Sequence, residues 1–84
     1  MTRIDSNRAV LTDMLRSVPF QSFALNMENG DRIVIEHPEN IAFDSTENGR
    51  NEIYIISNRL RLFTTFIAIA SIAQLDHPDP RLNA

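Results

Sequence analysis

Asn29-Gly30, flanked on both sides by alternating apolar residues, is the strongest local constraint in the chain. Phe23, Leu25 and Met27 alternate with Ala24 and Asn26, the two-residue period of a strand. Arg32 to Glu36 forms the matching run, with Ile33 and Ile35 on one face. Asn and Gly both tolerate the positive φ of a type I′ turn. The pattern therefore predicts a β-hairpin with its tip at Glu28-Asn29-Gly30-Asp31.

A hairpin needs cover for its apolar face, and the preceding segment offers it. Val10, Leu11, Met14, Leu15 and Val18 recur at helical spacing, with Arg8, Thr12, Asp13 and Arg16 on the other side. Asp5 and Ser6 are candidate N-caps, and Pro19 ends the pattern. The spacing predicts an amphipathic helix over about residues 6–17. After the hairpin, His37-Pro38-Glu39-Asn40 breaks the strand. Ile41, Ala42 and Phe43 read as a short strand, and Asp44 to Asn51 as a polar loop. Ile53–Ile56 is a β-branched buried strand, Asn58 a turn position, and Arg59 to Phe63 alternates again.

The chain has 84 residues, which predicts one domain, residues 1–84. A domain of this size buries roughly 60–65% of its unfolded surface, so its stability margin is thin. Hydrophobic content of 43% supplies a core, unlike the composition of a disordered chain. With no Cys, disulfides and thiolate zinc sites are excluded, which favours a cytoplasmic protein. The longest uncharged run, 62–75, is shorter than the about 20 residues of a membrane span. All basic residues are Arg and the net charge is −3, a balance that opposes phosphate binding.

Leu15, Pro19-Phe20-Gln21-Ser22-Phe23, Leu25, Asn29-Gly30 and His37-Pro38-Glu39 follow one another in an order that resembles a set of small uncharacterised bacterial proteins. Those chains open with a short helix, then a Pro-Phe-x-x-Phe-type segment, an Asp/Asn-Gly hairpin and a His-Pro turn. The resemblance covers residues 11–43 and the stretch 69–72; Ser22 stands where related chains carry proline. It implies a helix followed by a small, strongly curved antiparallel sheet, and no activity. Phe66, Ile67, Ile69 and Ile72 fit a buried helix or a two-sided apolar strand. The isoleucine content and the resemblance favour a turn near Thr64–Thr65 and then a strand. Residues 76–84 carry two prolines and predict a loose tail.

The chemical motifs are weak. His37-Pro38-Glu39 lacks the converging ligands of a metal site and reads as a turn. His77-Pro78-Asp79 repeats the tripeptide of J-domain co-chaperones without a following helix. Asp44, Thr46, Asn48 and Gly49 fall where a calcium loop has ligands and its glycine, but Ile55 stands where the bidentate Glu belongs. The same stretch half-matches the Asp-x-Ser-x-x-Gly element of cyclic-di-GMP-binding PilZ domains, without their preceding Arg pair. Both glycines lie in predicted turns, and no Ser has nucleophile-elbow context. No acid–base pair emerges, so no enzyme and no cofactor is expected.

The expectation is an α+β fold. An N-terminal helix packs on a four- or five-stranded antiparallel meander, curled like a small SH3- or Sm-type sheet. The apolar run from Phe63 to Ala73 reads either as a buried central strand or as a subunit interface. The expected function is a non-catalytic interaction module that self-associates as a homodimer. Phe63, Phe66, Ile67 and Ile69 would supply apolar contact, with Arg59 and Arg61 at the rim. The alternatives are an Sm-like nucleic-acid binder, using Arg32, Arg59, Arg61 and Tyr54, or a small acidic inhibitor of another protein's basic site.

Overall fold

The computed structural model describes residues 2–46, 48–57 and 59–75. One N-terminal helix and two three-stranded antiparallel sheets make an α+β fold. Helix α1 runs Arg3–Arg16, starting earlier than the expected 6. Thr2 caps it rather than Asp5 or Ser6: the Thr2 hydroxyl accepts the Asp5 N–H at 3.1 Å. Thr2 and Asp5 have the spacing of a capping pair. The helix stops ahead of Pro19, as the proline predicts.

The buried stripe of α1 is rotated from the expected one. Leu11 is fully buried, and Ile4, Met14 and Leu15 pack beside it. Val10 and Val18 are exposed instead, Val18 at 95%. Arg8, expected on the solvent side, is buried at 5% exposure.

Strands β1 (Phe23–Met27) and β2 (Arg32–Ile35) form the expected hairpin, with Phe23 opposite Ile35 and Leu25 opposite Ile33. The turn differs in type. The Gly30 N–H donates to the Met27 carbonyl at 3.0 Å, and the Met27 N–H to the Asp31 carbonyl at 2.8 Å. Gly30 alone takes positive φ, at 95°. That is a type I turn with a glycine bulge, not type I′. Asn29 uses its side chain instead, accepting the Asp31 N–H at 2.9 Å.

A 3-10 turn at Pro38–Asn40 leads to β3 (Ile41–Phe43), followed by β4 (Glu52–Ser57) and β5 (Leu60–Thr65). A second 3-10 turn, Phe66–Ala68, leads to β6 (Ile69–Gln74). The strand orders are β2-β1-β6 and β3-β4-β5. The described residues thus form six strands rather than four or five, and β6 returns to β1 instead of pairing with β5. This is not a simple meander. The expected turn at Thr64–Thr65 lies at Phe66–Ala68, because Thr64 and Thr65 still pair with Ile53 and Glu52.

That second 3-10 turn explains the two-sided apolar run. It breaks the run into two strands of different sheets, so each needs cover on fewer sides. Asn7 holds it, donating to the carbonyls of Phe66 at 2.8 Å and Ile69 at 3.2 Å. The Glu28 N–H donates to the Ala68 carbonyl at 2.8 Å, and Arg3 pairs with Glu28. The helix start, the hairpin tip and the 3-10 turn are thereby tied together. The core beneath them comprises Leu11, Phe23, Leu25, Ile35, Ile53, Ile55, Phe66 and Ile69, all fully buried. No helix among the described residues is long and apolar enough to cross a membrane. The predicted Asn58 turn, the His77-Pro78-Asp79 motif and the tail 76–84 lie outside the described residues.

Candidate interaction surface

Strand alternation divides the β4–β5 hairpin into two faces. Ile53 and Ile55 point into the core, so Tyr54 and Ile56 point out. The register sets Tyr54 opposite Phe63 and Ile56 opposite Arg61. The Tyr54 and Phe63 rings pack at 4.5 Å between centroids, tilted by 60°. Phe63 remains 74% exposed despite that contact, and Ile56 is 42% exposed. Among the described residues β5 has a strand partner on one side only. An aromatic and aliphatic patch therefore lies on the outer face of an edge strand.

The structure separates the sequence-predicted contact residues. Phe63 and Arg61 share this outer face, and Ile67 is 57% exposed on the second 3-10 turn. Phe66 and Ile69 are fully buried and cannot meet a partner. The 3-10 turn rotates both inward, under α1, where a continuous strand would have left one face of the run outside. Arg59 lies elsewhere, lining a concavity with Arg32 between β2 and the end of the β4–β5 hairpin. Of the residues proposed for nucleic acid, Tyr54 and Arg61 share the outer face, whereas Arg32 and Arg59 share the concavity. Ile56 escaped notice because 53–56 reads as one buried run; only the pairing register shows which half faces out.

The polar loop 44–51 has a structural centre that the sequence hid. Arg8 reaches into it from α1, donating from Nε to the Asp44 carbonyl at 3.2 Å. Its Nη2 donates to the carbonyls of Gly49 and Arg50 at 3.1 Å and to Asn51 Oδ1 at 3.0 Å. The guanidinium also lies 4.8 Å from the centroid of the Phe66 ring, and Asp5 Oδ1 lies 3.8 Å from its Nη1. The loop thus turns backbone carbonyls and the Asn51 side chain onto the arginine, while the Asp44 carboxylate of the calcium reading is taken up within the loop by Thr46 and Arg50. A Cβ on Gly49 would come within 2.5 Å of the Asp44 side chain, so this position has no room for a larger residue. Among the described residues no group of three or more His, Asp or Glu could hold a metal. His37 sits at the start of the first 3-10 turn, its N–H donating to Asn40 Oδ1 at 3.1 Å.

The Asp44 carboxylate accepts from the hydroxyl and the N–H of Thr46 and from the N–H of Arg50. The Thr46 hydroxyl, then the Thr46 N–H, hold its carboxyl below the ordinary carboxylate value; the Arg50 N–H and the Arg8 charge act the same way. A lowered folded value means that the contribution to loop order is full above the unfolded value of about 3.9 and is lost as pH falls through the folded one. Thr46→Val should move the Asp44 titration upward in a carboxyl-detected NMR titration. An unmoved titration would mean that the hydroxyl is not the main cause.

No family model, curated protein or solved structure matches the chain.

Proposed function

We propose that the protein is a non-catalytic interaction module of the cytoplasm that self-associates as a homodimer through the outer face of the β4–β5 hairpin. The observation that carries this reading is Phe63, 74% exposed and packed on Tyr54 along an edge strand. A large aromatic left this open has a strong drive to find cover. The edge beside it presents unpaired backbone groups, and Arg61 is the one charged residue of β5 to discourage pairing. A two-fold axis beside β5 would set the same patch against itself, which is how a homodimer closes.

Light scattering on a size-exclusion column should give wild type twice the 9.6 kDa chain mass. Phe63→Asp should give a folded monomer with dimerisation weakened about thirtyfold or more, the loss typical of a central aromatic anchor. Wild type at 9.6 kDa sinks the proposal.

A second reading draws on the same face. Tyr54 and Phe63 beside Arg61 would offer stacking and a cation to single-stranded nucleic acid. The net charge of −3 opposes it. A salt-sensitive gel shift abolished by Phe63→Asp would favour it over the dimer.

A further inference from the structure

Among the described residues β2 is also an edge strand, partnered only by β1. The Met27 N–H bond to the Asp31 carbonyl makes that pair a hydrogen-bonded one. Alternation then makes Leu25–Ile33 and Phe23–Ile35 the bonded pairs of the ladder. The backbone N–H and C=O groups of Arg32 and Val34 consequently point away from β1, to the open edge.

Across that edge stands the end of the β4–β5 hairpin. β3 pairs with β4 only as far as Ile41 opposite Ile55, so the end of the hairpin extends past the β3 pairing. The slot left between β2 and that end is an open concavity of about 350 Å³. Arg32, Val34 and Glu36 line one wall, and Ser57, Arg59 and Leu60 the other. The volume is within the usual range of ligand sites, roughly 300–1,000 Å³. Among the described residues, no carboxylate lies within ion-pair distance of Arg32 or Arg59. Val34 is half-buried and Leu60 is 44% exposed, so each wall carries an apolar side chain beside its arginine.

We propose that this slot takes an extended acidic peptide segment of another protein, which adds a strand to β2 and sets its carboxylates on Arg32 and Arg59. The open backbone groups of Arg32 and Val34 are the recognition elements of strand addition. The two guanidiniums supply charge complementarity in the fork geometry that suits carboxylate. A bare phosphate would use the arginines and leave the strand edge, Val34 and Leu60 untouched. Glu36 repels acid at the far end of β2, which places the acidic positions of the segment at the Arg32 end. None of these residues belongs to the Phe63 face, so this inference stands independently of dimerisation.

The test is an NMR titration of the full chain with a blocked hexapeptide of alternating valine and glutamate. Its controls are the valine–lysine counterpart and inorganic phosphate. The glutamate peptide should shift the amides of 32–36, Ser57 and Leu60, and slow hydrogen exchange at Arg32 and Val34. Affinity should fall about threefold for Arg32→Gln or Arg59→Gln and about tenfold for both together, while Phe63→Asp should leave it unchanged. Three outcomes overturn the proposal: no shifts at millimolar peptide, equal binding of the lysine peptide, or phosphate alone reproducing every change.

Discussion

Phe66→Ala should destabilise the protein by about 4 kcal/mol, the usual cost of emptying a buried phenylalanine site. The ring is fully buried and meets Phe43 edge-on at 5.4 Å between centroids, with the Arg8 guanidinium against it. Its backbone is fixed as well: the Phe66 N–H donates to the Asn51 carbonyl at 3.1 Å, and its carbonyl accepts from Asn7. These surroundings come from α1, β3, the loop and the 3-10 turn, so they cannot collapse together into the vacated space. By the per-residue rule an 84-residue chain has a total stability of roughly 4–13 kcal/mol, so the loss removes a large part of it. Urea unfolding should show a much lower midpoint with an unchanged slope. Phe66→Asp should leave the chain unfolded rather than monomeric, because it buries a charge without a partner. A midpoint shift for Phe66→Ala no larger than that of an exposed substitution would show that the ring is not in the core.

Arg8→Met should cost about 3 kcal/mol, although methionine keeps the apolar stem and has none of the desolvation cost. The guanidinium satisfies the carbonyls of Asp44, Gly49 and Arg50 and the Asn51 side chain. Removing it leaves these oxygens facing an apolar side chain, each orphaned group costing about 1–3 kcal/mol before the loop relaxes to water. Arg8→Lys should recover only part of the loss, since one ammonium cannot reach acceptors arranged around a planar fork. Arg16→Met, on the exposed end of the same helix, should change stability by less than about 0.5 kcal/mol. Hydrogen exchange separates a loop effect from a global one. In Arg8→Met, the amides that Asp44 holds, those of Thr46 and Arg50, should exchange faster than the β1 core amides. Equal stability of Arg8→Met and wild type would remove Arg8 from the structural account. Because Arg8 and Phe66 touch, their losses should not add, and the double variant should be less destabilised than the sum.

These two residues mark the line between what the sequence determined alone and what the tertiary structure decided. Strand period and turn chemistry are local, so the Phe23–Ile35 hairpin, its inward residues and its Asn-Gly tip could be read directly. Pro19 and Pro38 acted as stops for the same reason: a proline constrains its own backbone whatever surrounds it. The type of turn was less legible. Asn-Gly satisfies both a type I′ turn and a type I turn with a bulge, and the choice depends on how the two strands twist into the sheet. The helix was visible as a 3.6-residue period, but its rotation was not. Arg8 counts as polar in any pattern, and only a loop distant in sequence, with four acceptors for it, makes burial favourable.

The run 63–75 shows the limit most plainly. Its composition announced apolar contact on two faces and left the contacting surface unspecified. The 3-10 turn at Phe66–Ala68, held by Asn7 from the helix, divided the run between two sheets. Phe66 and Ile69 went into the core, and Phe63 and Ile67 stayed outside. The same four residues had looked alike because hydrophobicity is a property of the residue, whereas exposure depends on which strand is its neighbour. The pairing of Tyr54 with Phe63, and the placing of Arg32 and Arg59 around one slot, likewise arise from register and from the packing of elements. The first depends on the register of a hairpin whose two strands both read as apolar, and the second on how two separate sheets pack; neither is written in the local residue pattern.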